Sequence, residues 1–217
     1  MFALAKKFPD KPWSWDHISE YQNITINDVL SNPELPWSWY HLSLNKNIKM
    51  IDVLNNPDKH WAWSALSMNQ SITMTDIINN PEIPWSYYNL SKNQNITMSF
   101  IISNIEKNWD WSALSENPCI SIKDVINNPD IPWDWYSLGW NDSIKISDVL
   151  QHSERPWNWS LITRHKQVTL KHIMERPDLP WDWLYLSIMS NDYISEYLKI
   201  LNKWIHSDIS NIIIDYF

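Results

Sequence analysis

Seven histidines, one cysteine and twenty-five carboxylates are the side chains of this chain that could hold a metal or move a proton. Their spacing argues against both. His17 and His41 fall far apart in the sequence, and His165 and His172 are seven residues apart on separate predicted helices. No H-x-x-x-H pair and no Cys/His cluster occurs, so no zinc-type ligand set can be written down. Asp16 and Glu20 share the i, i+4 spacing of one helix face. Acid–base work needs a pocket as well, and nothing in the sequence suggests one. Serine and threonine recur at fixed places rather than in a Ser/His/Asp set that stands out from its surroundings. Cys119 has no partner thiol and lies at an ordinary loop position, which excludes an internal disulfide framework and fits a reducing compartment. A single glycine excludes phosphate-cradling loops and dinucleotide fingerprints. The expectation is no enzyme, no metal and no cofactor.

The feature that organises the chain is a pair of tryptophans of the form W-x-W. Trp13/Trp15, Trp37/Trp39, Trp61/Trp63, Trp109/Trp111, Trp133/Trp135, Trp157/Trp159 and Trp181/Trp183 are such pairs, and Trp85/Tyr87 is a near-match. Successive pairs keep one 24-residue frame with no insertion or deletion, which predicts a repeat array. The repeats begin at Pro12, Pro36, His60, Pro84, Asn108, Pro132, Pro156 and Pro180. Their consensus is P-W-[SDN]-W-x-x-L-S-x-N-x-x-I-T-x-x-D-[VI]-[LI]-x-N-P-[DE]-x, and positions below are counted along it.

Two helix starts are legible in each repeat. The third position (Ser14, Ser38, Ser86, Asp110, Asp134, Asn158, Asp182) has the small polar side chain of an N-cap. Its flanks, Trp13 with Ile18 or Trp37 with Leu42, have the spacing of a hydrophobic staple. The second tryptophan, inside the helix, is expected to fill the core. The other start is I-T-x-x-D-[VI], where Thr25, Thr73, Thr97, Ser121 and Thr169 are N-cap candidates and Asp28, Asp76 and Asp124 complete capping boxes. This second helix stops at Asn-Pro, because proline lacks an amide and drives its predecessor out of the α region. Each repeat therefore reads as two helices of roughly seven residues, marginal alone and stable only when stacked. The fold class is all-α, an α-solenoid of short helix-turn-helix repeats.

Residues 1–11 read as the second half of a further repeat, a short amphipathic helix of Phe2, Leu4, Ala5 and Phe8 capping the array over 12–187. Repeat four departs most, with Tyr87 for Trp, Phe100 for Asp and Ile105 for Pro. Without that proline its second helix is expected to run on toward Asn108. Repeat seven places His165, Gln167, His172 and Arg176 where others carry Asn, Asn, Asp and Asn. Residues 188–217 lose the frame and read as capping helices, ending in the apolar Ile212–Phe217, a candidate self-association segment.

Fifteen of seventeen tryptophans belong to the frame and are assigned structural roles: Trp13, Trp15, Trp37, Trp39, Trp61, Trp63, Trp85, Trp109, Trp111, Trp133, Trp135, Trp157, Trp159, Trp181 and Trp183. The fifth and ninth positions vary most and lie four apart on one helix face. Tyr40, Leu44, Met68, Tyr88, Tyr136 and Trp140 there are the candidate contact residues for a protein partner. An acidic residue recurs after the proline (Glu34, Asp58, Glu82, Glu106, Asp130, Glu154, Asp178), a row of like charges about 8–10 Å apart. The net charge of −8 disfavours nucleic acid and suits basic proteins better. No apolar run reaches transmembrane length, so a soluble intracellular protein is expected.

The run Trp37–Ser43 through Asn56-Pro57-Asp58 resembles the tryptophan-repeat proteins that giant nucleocytoplasmic DNA viruses encode in multiple copies, and the likeness extends over residues 12–187. The resemblance implies a virus-encoded, repeat-built protein of the host cytoplasm or the virion; it brings no catalytic residues. Three roles compete: a non-enzymatic scaffold binding a protein along the Tyr40–Trp140 strip, a virion assembly component, and a glycan-binding module with tryptophan platforms.

Overall fold

The computed structural model describes residues 2–21 and 23–188. Sixteen α-helices and no strand occur among them. Helix α1 spans Phe2–Lys7, and the first helices of the repeats are α2 Trp15–Tyr21, α4 Trp39–Leu44, α6 Trp63–Met68, α8 Tyr87–Leu90, α10 Trp111–Glu116, α12 Trp135–Leu138, α14 Trp159–Thr163 and α16 Trp183–Ile188. The second helices are α3 Ile26–Leu30, α5 Met50–Leu54, α7 Met74–Asn79, α9 Met98–Ser103, α11 Ile122–Asn127, α13 Ile146–Gln151 and α15 Leu170–Glu175. The chain divides into two compact units, Met1–Ser143 and Ile144–Phe217. In the first, α2 packs on α4, α4 on α6, α6 on α8 and α10 on α12; in the second, α14 packs on α16. Each is an α-solenoid stack.

The helices are only four to seven residues long, because cap and stop signals leave no more room. One aliphatic from every repeat fills each core row. Ile18, Leu42, Leu66, Leu90, Leu114 and Leu138 come from the first helices, and Ile24, Ile48, Ile72, Ile96 and Ile120 from the loops between the two helices. All are at most 5% exposed, and each full burial contributes roughly 2 kcal/mol.

Such short helices leave nearly every backbone group at an end, without an intrahelical partner. Side chains at fixed repeat positions supply the partners. The second helices start on capping boxes at Thr25/Asp28, Thr73/Asp76 and Ser121/Asp124. Where Lys49 and Lys145 replace the hydroxyl residue, their backbone amides still donate to Asp52 and Asp148. At the other end Asn32, Asn56, Asn80, Asn104 and Asn128 turn their Nδ2 back onto the carbonyl four residues earlier. The main-chain carbonyl of the same residue accepts the indole Nε1–H of the next repeat's leading tryptophan, at 2.7–3.0 Å from Trp13–Phe8 to Trp181–Arg176.

From the third repeat on the leading tryptophan is the deeper of the two, reversing the expected order, while Trp13, Trp15, Trp37 and Trp39 are all half-buried. Trp61, Trp85, Trp109, Trp133, Trp157 and Trp181 are buried, whereas the second members are half-buried and Trp183 is exposed. The second ring lies edge-on against the leading ring of the following repeat: Trp15–Trp37, Trp39–Trp61, Tyr87–Trp109, Trp111–Trp133 and Trp159–Trp181 have centroids 5.0–6.1 Å apart at 83–88°. Edge-to-face contacts of this kind add about 0.5–1.5 kcal/mol beyond burial.

Two polar ladders join the repeats. The eighth-position hydroxyl donates to the carbonyl four residues back, as Ser43 does to Trp39, and accepts the third-position amide of the next repeat. Ser19, Ser43, Ser67, Ser91 and Ser115 each receive such an amide in the first unit, and Thr163 does so in the second. The tenth-position asparagines Asn45, Asn69, Asn93, Asn117 and Asn141 are at most 5% exposed. Each Nδ2 reaches back to the preceding repeat's eighth-position carbonyl, at 2.7–3.1 Å. Each Oδ1 accepts the amide two residues ahead.

Two departures from the repeat are explained by this wiring. Helix α9 ends at Ser103 and does not run on to Asn108, because Asn104 performs the stop that the missing proline was thought to provide. Phe100 stacks on Tyr87 at 6.3 Å and stands edge-on to Trp109, so the larger side chain fills the space left by the smaller ring. The N-terminal helix also fits the frame: Phe8 accepts the Trp13 indole as the asparagines do, Ala5 is fully buried and the Phe2 ring lies 5.3 Å from Trp37. Leu4 and Phe8 are exposed.

The asparagine ladder predicts that Asn93→Ala lowers stability to chemical denaturation by about 3 kcal/mol, since it strands buried carbonyls, while Gln94→Ala at the exposed neighbour changes it by less than about 0.5 kcal/mol. A double-mutant cycle checks the Tyr87/Phe100 exchange. Tyr87→Trp and Phe100→Asp should each destabilise, and together they should recover about 2 kcal/mol of coupling.

Candidate interaction surfaces

The positions that this wiring leaves free are the fifth and ninth of each first helix, and at several seams within each unit they meet the third or sixth of the next repeat in a notch. Contacts within the notches show the placement. At the first seam His41 lies between Asp16 (3.3 Å) and Glu20 (3.8 Å) of the preceding helix, with Ser38 Oγ 2.7 Å from Nδ1. Sequence spacing alone did not bring these four together. Ser38 is the N-cap residue of α4, and the group forms a polar seam contact at the surface.

Further along, Lys92 Nζ sits 5.6 Å over the Tyr88 ring, and a hydrogen bond from the phenol to the Asp110 carboxylate raises its pKa above the usual tyrosine range. Ser112 and Ser137 both donate to Asp134, which holds that carboxyl below the usual carboxylate range. In the second unit Arg164 fills the notch, pairing with Asp182 at 2.9 Å and lying 4.2 Å from the Tyr185 centroid. In the second repeat the fifth and ninth positions are Tyr40 and Leu44, and the third and sixth of the next are Ala62 and Ala65, so these positions carry no charge there.

Of the six candidate contact residues, Tyr40, Tyr88, Tyr136 and Trp140 are 47–54% exposed. Leu44 and Met68 are half-buried. The acidic row is exposed throughout, but it is not a uniform stripe. Asp58, Glu106 and Glu154 are paired with the base that follows them, Lys59, Lys107 and Arg155. Glu34, Glu82 and Asp130 are followed instead by Leu35, Ile83 and Ile131. This alternation reveals a two-repeat period that the 24-residue frame conceals: tyrosine occupies the fifth position (Tyr40, Tyr88, Tyr136) only where the preceding link is aliphatic.

Among the described residues no group of three or more His, Cys, Asp or Glu is placed to hold a metal ion. His165 and His172 use Nδ1 to accept the amides of Gln167 and Thr169, taking over the acceptor roles of the asparagine and aspartate they replace. Among the described residues no helix is long and apolar enough to cross a membrane. Beside the first seam a cavity of about 330 Å³ is walled by Val29, Leu30, Pro33, Leu35, Pro36, Trp37 and Trp39, with Lys59 also on its lining. No protein-family model, no curated protein and no solved structure matches this chain.

Cys119 is half-buried, and burial together with the nearby Asp124 carboxylate pushes its thiol up to about 12. The raised value keeps it as the neutral, unreactive thiol at neutral pH. Ellman's reagent at pH 8 should label native protein at least about a hundredfold more slowly than denatured protein.

Proposed function

We propose that the chain is a non-catalytic repeat scaffold that binds a protein partner along the first-helix seams. The observation that carries this reading is the exposure of Tyr40, Tyr88, Tyr136 and Trp140. These rings have no place in the ladders that hold the repeats together, and half-exposed aromatics on a rigid support are favoured interface anchors. The net charge of −8 supports a basic partner. The likeness of the repeat to the viral tryptophan-repeat family supports a virus-encoded protein acting inside the host cell.

A glycan-binding role is less well supported. Most leading rings are buried with their N–H groups bonded to carbonyls, and five second rings (Trp15, Trp39, Tyr87, Trp111 and Trp159) are engaged edge-on, which leaves few open faces for sugar. The assembly role rests on Ile212–Phe217, which lies outside the described residues, as do the expected capping helices.

The test is a triple variant, Tyr40→Glu, Tyr88→Glu and Tyr136→Glu, with Trp140→Glu made separately. Helicity and melting should stay within a few degrees of the parent, while capture of host proteins on immobilised chain falls at least about tenfold. Unchanged capture would place the partner elsewhere.

A further inference from the structure

We infer that the cavity beside the first seam binds a small aromatic monocarboxylate, its ring against Trp37 and Trp39 and its carboxylate on Lys59. The volume of about 330 Å³ lies at the small end of the range for ligand sites, about 300–1,000 Å³. Most of the wall has no polar group to offer. Pro33 and Pro36 lack an amide, the Leu35 and Trp37 amides donate to the carbonyls of Asn32 and Leu35, and the Trp37 indole N–H is spent on Asn32 as well. Such a wall favours an apolar body, and two half-buried indoles favour a flat ring.

Lys59 sets the charge of the ligand. Among the described residues of the lining it alone is charged. Its ammonium has three N–H donors, and Asp58 takes one, at 2.9 Å. Asp58 is 72% exposed, and an ion pair so open to water is weak, which leaves the ammonium able to hold a second carboxylate. Of the carboxylates in the flanking segments, Asp28 accepts from Thr25 and Asp52 from Lys49, and Glu34 is exposed and outside the lining. A cationic ligand meets a like charge here, and a neutral one leaves the spare donors unmatched. The same residue types recur two repeats on, as Pro81, Ile83, Pro84, Trp85 and Tyr87 with Lys107. There the Phe100 ring of the chain itself stacks on Tyr87, and Lys107 Nζ lies 5.8 Å over the tyrosine ring. In the second repeat the position of Phe100 is held by Asp52, so a ring beside Trp39 has to come from a ligand. The lining shares no residue with the candidate contact set of the first helices, so the failure of either reading leaves the other standing.

Titration of the full chain with phenylbutyrate, followed by the indole N–H signals in heteronuclear NMR spectra, tests this. The signals of Trp37 and Trp39 should shift and saturate at high micromolar to low millimolar acid. Phenylbutanol and phenylbutylamine, neutral and cationic with the same ring, should each bind at least about tenfold more weakly. Lys59→Gln should weaken the acid at least about tenfold with helicity retained, Lys59→Arg should restore it, and Lys59→Glu should turn the preference toward the amine. Tyr40→Glu with Tyr88→Glu should bind the acid as the parent does. Indole signals that stay still, an alcohol or amine that binds as tightly as the acid, or a Lys59→Gln variant that binds normally overturns the inference.

Discussion

The constraint on which everything else depends is the shortness of the helices. In a helix of four to seven residues almost every amide and carbonyl is terminal, and a buried polar group left unpaired costs about 1–3 kcal/mol. A stack of such helices is stable only when side chains complete the backbone at every end. The repeat consensus does this work position by position: threonine and aspartate at the second N-terminus, asparagine at its C-terminus, serine and asparagine between neighbours. The tryptophan pair belongs to the same system, since the leading indole contributes a hydrogen bond as well as buried area.

This explains which parts of the fold were legible in the sequence. Caps and stops act within a few residues of themselves, so Thr25 with Asp28, or Asn32 before Pro33, announce their roles by local spacing. Ser43 and Asn69 do not, because their partners lie 19 to 26 residues away in another repeat. A 24-residue period shows that such positions matter without showing what they touch. The order of the tryptophans is hidden in the sequence for the same reason: the staple spacing accounts for contacts inside one helix, whereas the carbonyl that accepts the leading indole belongs to the repeat before. Likewise Ile105 looked like a lost helix stop only because the stop was credited to proline rather than to Asn104.

The candidate surface was legible in part. Variation at the fifth and ninth positions pointed to Tyr40, Tyr88, Tyr136 and Trp140, which are exposed. Leu44 and Met68 are half-buried. The notch pairing of Asp16 and Glu20 with His41 could not be foreseen, since it depends on how far one helix is rotated against the next. The aliphatic row of the second helices is not legible in the sequence, because Leu54 and Ile78 have the residue types of a core and only solvent exposure distinguishes them from it.

The two faces obey different rules, and the ladders account for the difference. With backbone pairing and ring stacking fixed by about a dozen positions per repeat, the outer side chains are released from any duty to the fold. On the first-helix side that freedom is used for variety, with an imidazole between carboxylates at one seam, an ammonium over a phenol at another and a guanidinium on a carboxylate at a third. On the second-helix side the nineteenth position stays apolar in every repeat, while the sixteenth varies through Asn27, Ile51, Thr75, Ser99 and Lys123. The alternation of Lys59 and Lys107 with Leu35 and Ile83 adds a further level, because it makes two successive repeats, rather than one, the distance at which a chemically equivalent first-helix surface recurs.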